Sequence, residues 1–219
     1  ASAVSALETI SYPTTRDERW KYTRVARVQQ LEFAPAPAAP AAPPAVLPEL
    51  GAHRLVFVDG QFVSGEGVNT NGVFIGPLSR AMVDCPDRLS ALASDHFAGT
   101  EWFAALQASA PQDGGAVLIP DGVTLDKPVF IHHHLSAGTH VAQPQHLVVV
   151  GKESRAEVIV WTTTDADANG LYNGAITADL GEHAHLGLEI VQDEHGDAHH
   201  IGHHQFRQAA SSKLDVRPA

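Results

Sequence analysis

A polar corner that follows a glycine recurs along the second half of this chain and constrains its fold more than any other feature. Residues 151–158 and residues 181–188 each join two apolar runs through such a corner, at an offset of thirty residues. Residues 208–214 form a third, poorer copy. A unit of this length buries its apolar face by stacking on its neighbours. We therefore predict the coils of a β-solenoid.

Short apolar runs separated by polar turns fill most of residues 114–219. They occupy residues 116–119, 129–131, 147–150, 158–161 and 184–190. No long helical period interrupts them, so we predict a mainly β protein with an N-terminal α/β region. A β-sandwich is the alternative fold, because short alternating strands at this spacing also suit it.

The first half of the chain, residues 1–113, is predicted to be a separate N-terminal region that precedes the coils of residues 114–219. Residues 34–48 are almost entirely alanine and proline, which is typical of an extended linker. Residues 55–63 hold two apolar runs around Asp59-Gly60, a dipeptide that favours a tight β-hairpin because both turn positions take positive φ.

Two short helices are predicted between residues 77 and 110. Asp87 is a candidate cap for the first, which would extend through Leu89 and Leu92. Thr100 is a candidate cap for the second, which would carry Trp102, Phe103 and Leu106.

Residues 13–23 combine a helix-start signal with aromatic and basic side chains. Thr15 and Glu18 have the spacing of a capping box, in which the hydroxyl and the carboxylate each accept from a backbone amide. We therefore predict a helix that begins at Thr15 and gains apolar area from Trp20 and Tyr22.

The net charge limits the classes of partner. Fourteen basic residues against twenty-five acidic ones give −11, which argues against a nucleic-acid or anionic-membrane surface. The single cysteine, Cys85, cannot form an internal disulfide, so a reducing compartment fits. No run approaches the roughly eighteen apolar residues of a membrane span, and no signal-peptide pattern opens the sequence. The expected location is the cytoplasm.

The fourteen histidines are the strongest indication of metal chemistry. His195, His199 and His203 are spaced by four, which places them on one face of a helix and equally on one face of a strand. Imidazoles beside carboxylates could bind zinc, nickel or iron. No His-Glu-x-x-His motif and no cysteine accompany them, so a solvated, histidine-rich strand is the alternative. A second run, residues 132–134, is interpreted as structural.

Catalytic motifs fail on inspection, and we expect no catalytic residue. Residues 151–152 lack the glycine and hydroxyl partners of a phosphate-binding loop, and no nucleophile elbow occurs. Asp165 and Asp167 could form the carboxylate pair of a polysaccharide-active β-helix enzyme, although aspartates are also expected in such a turn.

The arrangement of residues 13–23 resembles the N-terminal signature of the SufD proteins, scaffold components of the bacterial SUF machinery for iron-sulphur cluster assembly. Residues 55–63 and 116–129 follow the same order as in those proteins. The signature residues here are Pro13, Thr15, Arg16, Glu18, Trp20, Lys21, Tyr22 and Thr23.

The resemblance implies a fold, a function and partners. It implies a right-handed parallel β-helix after a helical N-terminal region, and a non-catalytic subunit acting with SufB and the ATPase SufC. No cofactor of this chain's own is implied, whereas iron or an iron-sulphur cluster belongs to the full complex. The later coils and the ATPase-docking helices would lie beyond Ala219. We therefore expect a β-helix that is incomplete at its C-terminus, with an edge through which two copies could pair.

Overall fold

A computed structural model describes residues 3–34, 51–65, 67–90, 101–195 and 197–219. Apart from Ala34, the predicted alanine/proline linker lies outside the described residues, as do Leu92 and Thr100. The helices of the described chain are α1 (Ala3–Thr9), α2 (Ala26–Gln29), α3 (Leu78–Asp84), α4 (Pro86–Ser90) and α5 (Trp102–Ser109), with a single 3-10 turn at Glu18–Trp20.

Strands make up most of the rest. They are β1 (His53–Val58), β2 (Gln61–Gly65), β3 (Val68–Thr70), β4 (Val73–Pro77), β5 (Gly115–Ile119), β6 (Val129–Leu135), β7 (Val141–Ala142), β8 (Gln145–Val150), β9 (Arg155–Thr164), β10 (Leu171–Leu180), β11 (His185–Asp193), β12 (His199–Gln208) and β13 (Lys213–Pro218).

Two sheets form a β-solenoid of about three turns, and from β8 onward successive strands belong to the two sheets in turn. One has the order β13-β11-β9-β6-β1-β2, and the other has the order β12-β10-β8-β5-β4-β3 with β7 beside β10. Strands of successive coils pair in parallel: Arg155 lies opposite His185, and His185 lies opposite Lys213. The predicted β-solenoid is confirmed. The alternative sandwich is wrong, because sandwich sheets are antiparallel.

The recurring corner of the sequence is the turn between the two sheets. Glu153, His183 and Ser211 occupy equivalent places in successive coils with φ of 55°, 58° and 60°. The Glu153 amide donates to the Glu182 carbonyl at 2.9 Å, and the His183 amide donates to Ala210 at 3.1 Å. The repeat in the sequence therefore marks a column of stacked turns.

The apolar core lies between the two sheets. Alternate residues of each strand point inward because the side-chain period of a strand is two. Leu55, Ile131, Val158 and Leu188 from four successive strands of one sheet are all fully or almost fully buried in one cluster. Each coil thus covers the apolar surface of the coil before it.

The predicted hairpin is confirmed. β1 and β2 pair antiparallel around Asp59 and Gly60, whose φ values are 49° and 78°. β1 also pairs in parallel with β6, so the hairpin shares a sheet with the coils.

The predicted helix at Thr15 is wrong. Only the 3-10 turn forms there, and no side chain caps it. The Asp17 carboxylate accepts instead from the Thr14 amide at 2.7 Å and from its hydroxyl at 3.2 Å. This local turn competes with a helix, as short polar side chains commonly do.

The two later helices form as α4 and α5. Asp87 lies inside the first turn of α4, and Glu101 precedes α5 without a capping bond. α5 covers the outer face of a sheet, because the Asn173 side chain of β10 donates to the Phe103 carbonyl at 2.9 Å.

A buried carboxylate ties the hairpin to the coils and gives a stability prediction. Asp59 is fully buried and accepts from the Ser136 amide at 2.9 Å and from its hydroxyl at 2.7 Å. We expect Asp59→Ala to lower the free energy of unfolding by about 3 kcal/mol, because a buried amide loses a charged acceptor. Urea unfolding measures this loss.

An exposed pair of the same chemistry is the control. Asp113 accepts from the Ser79 amide at 3.0 Å and from its hydroxyl at 2.7 Å. Asp113→Ala is expected to cost less than about 1 kcal/mol, because water replaces the lost acceptor. Equal losses in the two variants would contradict the buried role of Asp59.

Candidate functional site in the histidine-lined solenoid

Aromatic and imidazole rings fill one end of the space between the sheets, which we call the bore. The residues of this bore cluster are His133 on β6, His146 on β8, Tyr172 on β10, and His200 and His204 on β12. β8, β10 and β12 are neighbours in one sheet, and Tyr172 lies opposite His200 in the parallel register. The coil stack therefore brings together residues that are far apart in sequence.

The rings of the bore cluster contact one another across the two sheets. His133 stacks on Phe57 with centroids 4.6 Å apart and meets the edge of His146 at 4.8 Å. Tyr172 stacks on His200 at 4.5 Å. His133 also meets the edge of Tyr172 with centroids 5.7 Å apart, so the contacts form a continuous path of rings from β1 to β12.

Hydrogen bonds fix the tautomer of one of these imidazoles. His146 Nδ1 accepts from the Gly115 amide at 3.0 Å, so the neutral ring carries its proton on Nε2. That nitrogen lies 3.5 Å from the Tyr172 hydroxyl. Within the described residues, neither nitrogen of buried His133 has a hydrogen-bond partner. Such an unpaired buried group costs about 1–3 kcal/mol.

Burial keeps these inner rings neutral. It lowers the pKa of His146 to about 3, with a smaller contribution from the nearby His204. Burial also holds the pKa of His133 well below its ordinary value, and the charges of His146, His132 and His200 would lower it further. His133 and His146 therefore offer nitrogen lone pairs and N–H groups rather than charge.

A second cluster of polar side chains lies on the face of β6 that points away from the bore. His134 Nε2 is 3.2 Å from Asp165 Oδ1, and its Nδ1 is 2.8 Å from Thr163 Oγ1. The same hydroxyl lies 2.8 Å from His132 Nε2. His132 in turn stacks on Trp161 at 4.4 Å. This is a hydrogen-bonded chain from a carboxylate through two imidazoles.

The predicted carboxylate pair has local hydrogen-bonding roles. Asp165 Oδ2 accepts from the Ala137 amide at 3.1 Å while its other oxygen contacts His134. The Asp167 carbonyl accepts from the Gly138 amide at 3.2 Å. Polysaccharide cleavage at these residues stays a prediction without support from this geometry.

The structure does not bring the three predicted metal ligands together. His199 and His203 lie on the outer face of β12, about 13 Å apart along the strand, with Ile201 between them. His203 Nε2 lies 3.2 Å from Asn173 Oδ1, and the His195 amide donates to Thr164 Oγ1 at 2.8 Å. In the described chain, no three His, Cys, Asp or Glu side chains are arranged to hold a metal. A site at these three histidines stays a prediction.

The bore cluster was not predicted from the sequence. His200 and His204 have the same spacing as His199 and His203, but they point to the opposite face of β12. The partly buried Ile201 and Phe206, which lie on opposite faces of β12, were the available signal of that alternation.

The signature segment divides into packed and exposed residues. Trp20 packs on Phe103 with centroids 5.4 Å apart, and Arg19 forms a 2.7 Å ion pair with Glu101. Tyr22 is 89% exposed, contrary to the expectation that it adds buried apolar area, and the Lys21 ammonium lies 5.4 Å from its ring centre. Trp20 therefore anchors the segment while Tyr22 faces solvent.

Comparison with known proteins accounts for this combination of a helical N-terminal region and a solenoid. The family model "SufBD protein N-terminal region" matches residues 1–131, and "SUF system FeS cluster assembly, SufBD core domain" matches residues 132–218. The chain belongs to the SufBD family. The predicted resemblance is thus confirmed at the level of the family.

This SufBD chain is also similar to a curated relative. It is 27% identical over 233 residues to an iron-sulphur cluster assembly SufBD family protein of Synechocystis sp. (strain ATCC 27184 / PCC 6803 / Kazusa). The alignment covers 96% of this chain and 50% of the relative. The SufBD chain therefore spans about half the length of that protein. None of the helices among its described residues has the length and apolar character needed to cross a bilayer.

The buried histidines predict how the stability of the SufBD chain depends on pH. Burial lowers the pKa of His132 to about 4 and that of His146 to about 3, below the usual value near 6.5 of the unfolded chain. Below pH 6.5 the unfolded chain therefore binds more protons than the folded one. We expect stability to be fully present above this pH and to fall by up to about 1.4 kcal/mol per pH unit for each histidine.

Urea unfolding between pH 8 and pH 4 measures this dependence. His146→Gln should reduce the slope between pH 6 and pH 4, whereas a change at the exposed His183 to Gln should leave it unchanged. A wild-type stability that is flat between pH 7 and pH 5 would contradict the buried, neutral state of these rings.

Proposed function

We propose that this chain is a non-catalytic, SufD-type scaffold subunit that acts with SufB and the ATPase SufC in iron-sulphur cluster assembly. The observation that carries the proposal is the match of both SufBD family models, which together cover residues 1–218 of a β-solenoid. Iron and sulphide are the cargo of such a complex. We place it in the cytoplasm, since a single, partly buried Cys85 suits a reducing compartment.

The solenoid supports a scaffold role because stacked coils present long, rigid faces. On one face, Arg217 of β13 contacts Glu189 of β11 at 2.7 Å and Asp215 of its own strand at 3.2 Å. Within the described chain, β12 and β13 pair on one side only. The free edge of a strand can accept a strand from another chain, so SufB or a second copy could add to these edges.

The signature segment supplies a second candidate contact. Tyr22 is almost fully exposed although Trp20, two residues earlier, anchors the segment. Tyrosine is enriched in the centres of protein interfaces and among the residues that contribute most to binding. We therefore assign Tyr22 to a partner surface rather than to the fold.

Co-purification tests the scaffold proposal. The chain, with any further residues of its reading frame, is co-expressed with the SufB and SufC of the same genome and a tag on SufC. We expect one complex of fixed stoichiometry by size-exclusion chromatography with light scattering. Elution of the chain apart from SufB and SufC, alone or as a dimer, would overturn the proposal.

A pair of surface variants tests the contact at Tyr22. Tyr22→Ala should weaken association at least about tenfold, as the loss of an interface tyrosine commonly does. It should change stability by less than about 0.5 kcal/mol, because the side chain packs on little of the fold. Met82→Ala is the control, since Met82 on α3 is also exposed at 59%. Equal binding by the two variants would refute the assignment of Tyr22.

A further inference from the structure

β12 carries two pairs of histidines with the same spacing but on opposite faces. His199 and His203 lie on the outer face with Ile201 between them, whereas His200 and His204 lie on the bore-facing side with Gly202 between them. Because β12 is the end strand of its sheet, His204 is exposed at the open end of the bore, while His203 is buried on the outer face. A Cβ added at Gly202 would lie 3.1 Å from His204 Nε2 and 3.7 Å from His200 Nε2. The two ring nitrogens of the inward pair therefore converge above this glycine.

A small cavity lies at the same place. Gly202 is paired with Gly174 of β10, and the absence of both side chains leaves a space. Its lining is polar on one side, from His200, His204, Tyr172 and Thr162, and aliphatic on the other, from Val160, Ile176 and Ile190. A Cβ added at Gly174 would lie 2.6 Å from the Tyr172 hydroxyl oxygen. The Tyr172 hydroxyl therefore lies on the strand next to the one that carries His200 and His204.

The orientation of His200 is fixed by a carboxylate. Its Nδ1 lies 2.7 Å from Glu194 Oε1, and the two side chains are 13% and 14% exposed. The carboxylate accepts a hydrogen bond from Nδ1–H, which leaves Nε2 as the ring nitrogen that faces the cavity. Histidines that bind metals usually donate their other N–H to a carboxylate in this way.

We propose that His200 and His204 bind a divalent transition-metal ion in the bore, with Glu194 as a positioning residue and the Tyr172 hydroxyl beside the ion. Imidazole nitrogen suits zinc, copper, iron and nickel. Two imidazoles leave other coordination positions for water or an exchangeable ligand, whereas closed structural sites fill all four positions with protein ligands. The site goes beyond the scaffold function and does not depend on it.

Cobalt binding tests the proposal. The chain is purified without a polyhistidine tag and titrated with Co²⁺, followed by visible absorption and equilibrium dialysis. We expect one equivalent to bind, and the double variant His200→Gln/His204→Gln to lose at least about 100-fold in affinity. The matched control His199→Gln/His203→Gln removes two histidines of the same strand at the same spacing and should bind as the wild type does. Glu194→Gln should weaken binding about 10–100-fold.

A second variant separates loss of the site from loss of the fold. Gly202→Ala retains both imidazoles but places a methyl group between them, so it should weaken cobalt binding at least tenfold with unchanged circular dichroism. Co-purification with SufB and SufC, measured on the same variants, reports on the scaffold function separately. Equal binding by the two double variants, or no cobalt held by the wild type after dialysis, would overturn the proposal.

Discussion

The parallel hydrogen bonding of each coil to the next is the constraint on which the rest of the structure depends. β11 lies between β9 and β13, and β10 lies between β8 and β12, so no inner strand of the stack can shift by one residue without breaking two ladders. A shift of one residue would also exchange the inward and outward faces of a strand. The stack therefore fixes which side chains enter the bore.

This register decides which histidines of the histidine-rich segments face the bore and which lie on the outer face. Successive histidines of the run on β6 point to opposite faces of the strand. His133 faces the bore and stacks on Phe57, whereas His132 and His134 lie on the outer face and contact the Thr163 hydroxyl. β12 divides its histidines in the same way, with one pair on the outer face and one pair on the bore-facing side. A tract that looks uniform in sequence thus supplies two chemically different surfaces.

The bore changes character along its length. Toward the corner column it is apolar, with Ala178, Leu180 and Leu186 fully buried. At the other end of the strands it is lined by imidazoles and by Tyr172. The glycines Gly174 and Gly202 belong to this polar end, where they leave room that a side chain would fill. The polar end of the bore therefore combines polar side chains, a small cavity and the carboxylate of Glu194, whereas the apolar end stabilises the stacking of the coils.

Much of the fold could be predicted because its signals are local. The thirty-residue offset of the corners and the Asp59-Gly60 turn each reflect a backbone conformation that few residues adopt. The Thr15 capping box failed because Asp17, also local, binds the amide and hydroxyl of Thr14 and holds residues 14–17 in a turn. The metal site predicted at His195, His199 and His203 could not be assessed from sequence, because spacing by four is compatible with a helix and with a strand. Only the long-range pairing of β12 with β10 decides that question and shows which histidines converge.

Disulfide trapping in the outer face of the stack tests the register most directly. In a chain with Cys85→Ser, the pair Arg155→Cys and His185→Cys occupies adjacent coils in register. Neighbouring strands lie about 4.8 Å apart, within the range that a disulfide spans. We expect mild oxidation to link this pair completely, as measured by mass spectrometry. The pair Arg155→Cys and Lys213→Cys, two coils apart, should stay reduced; linking of the distant pair in preference to the adjacent one would contradict the stacked-coil account.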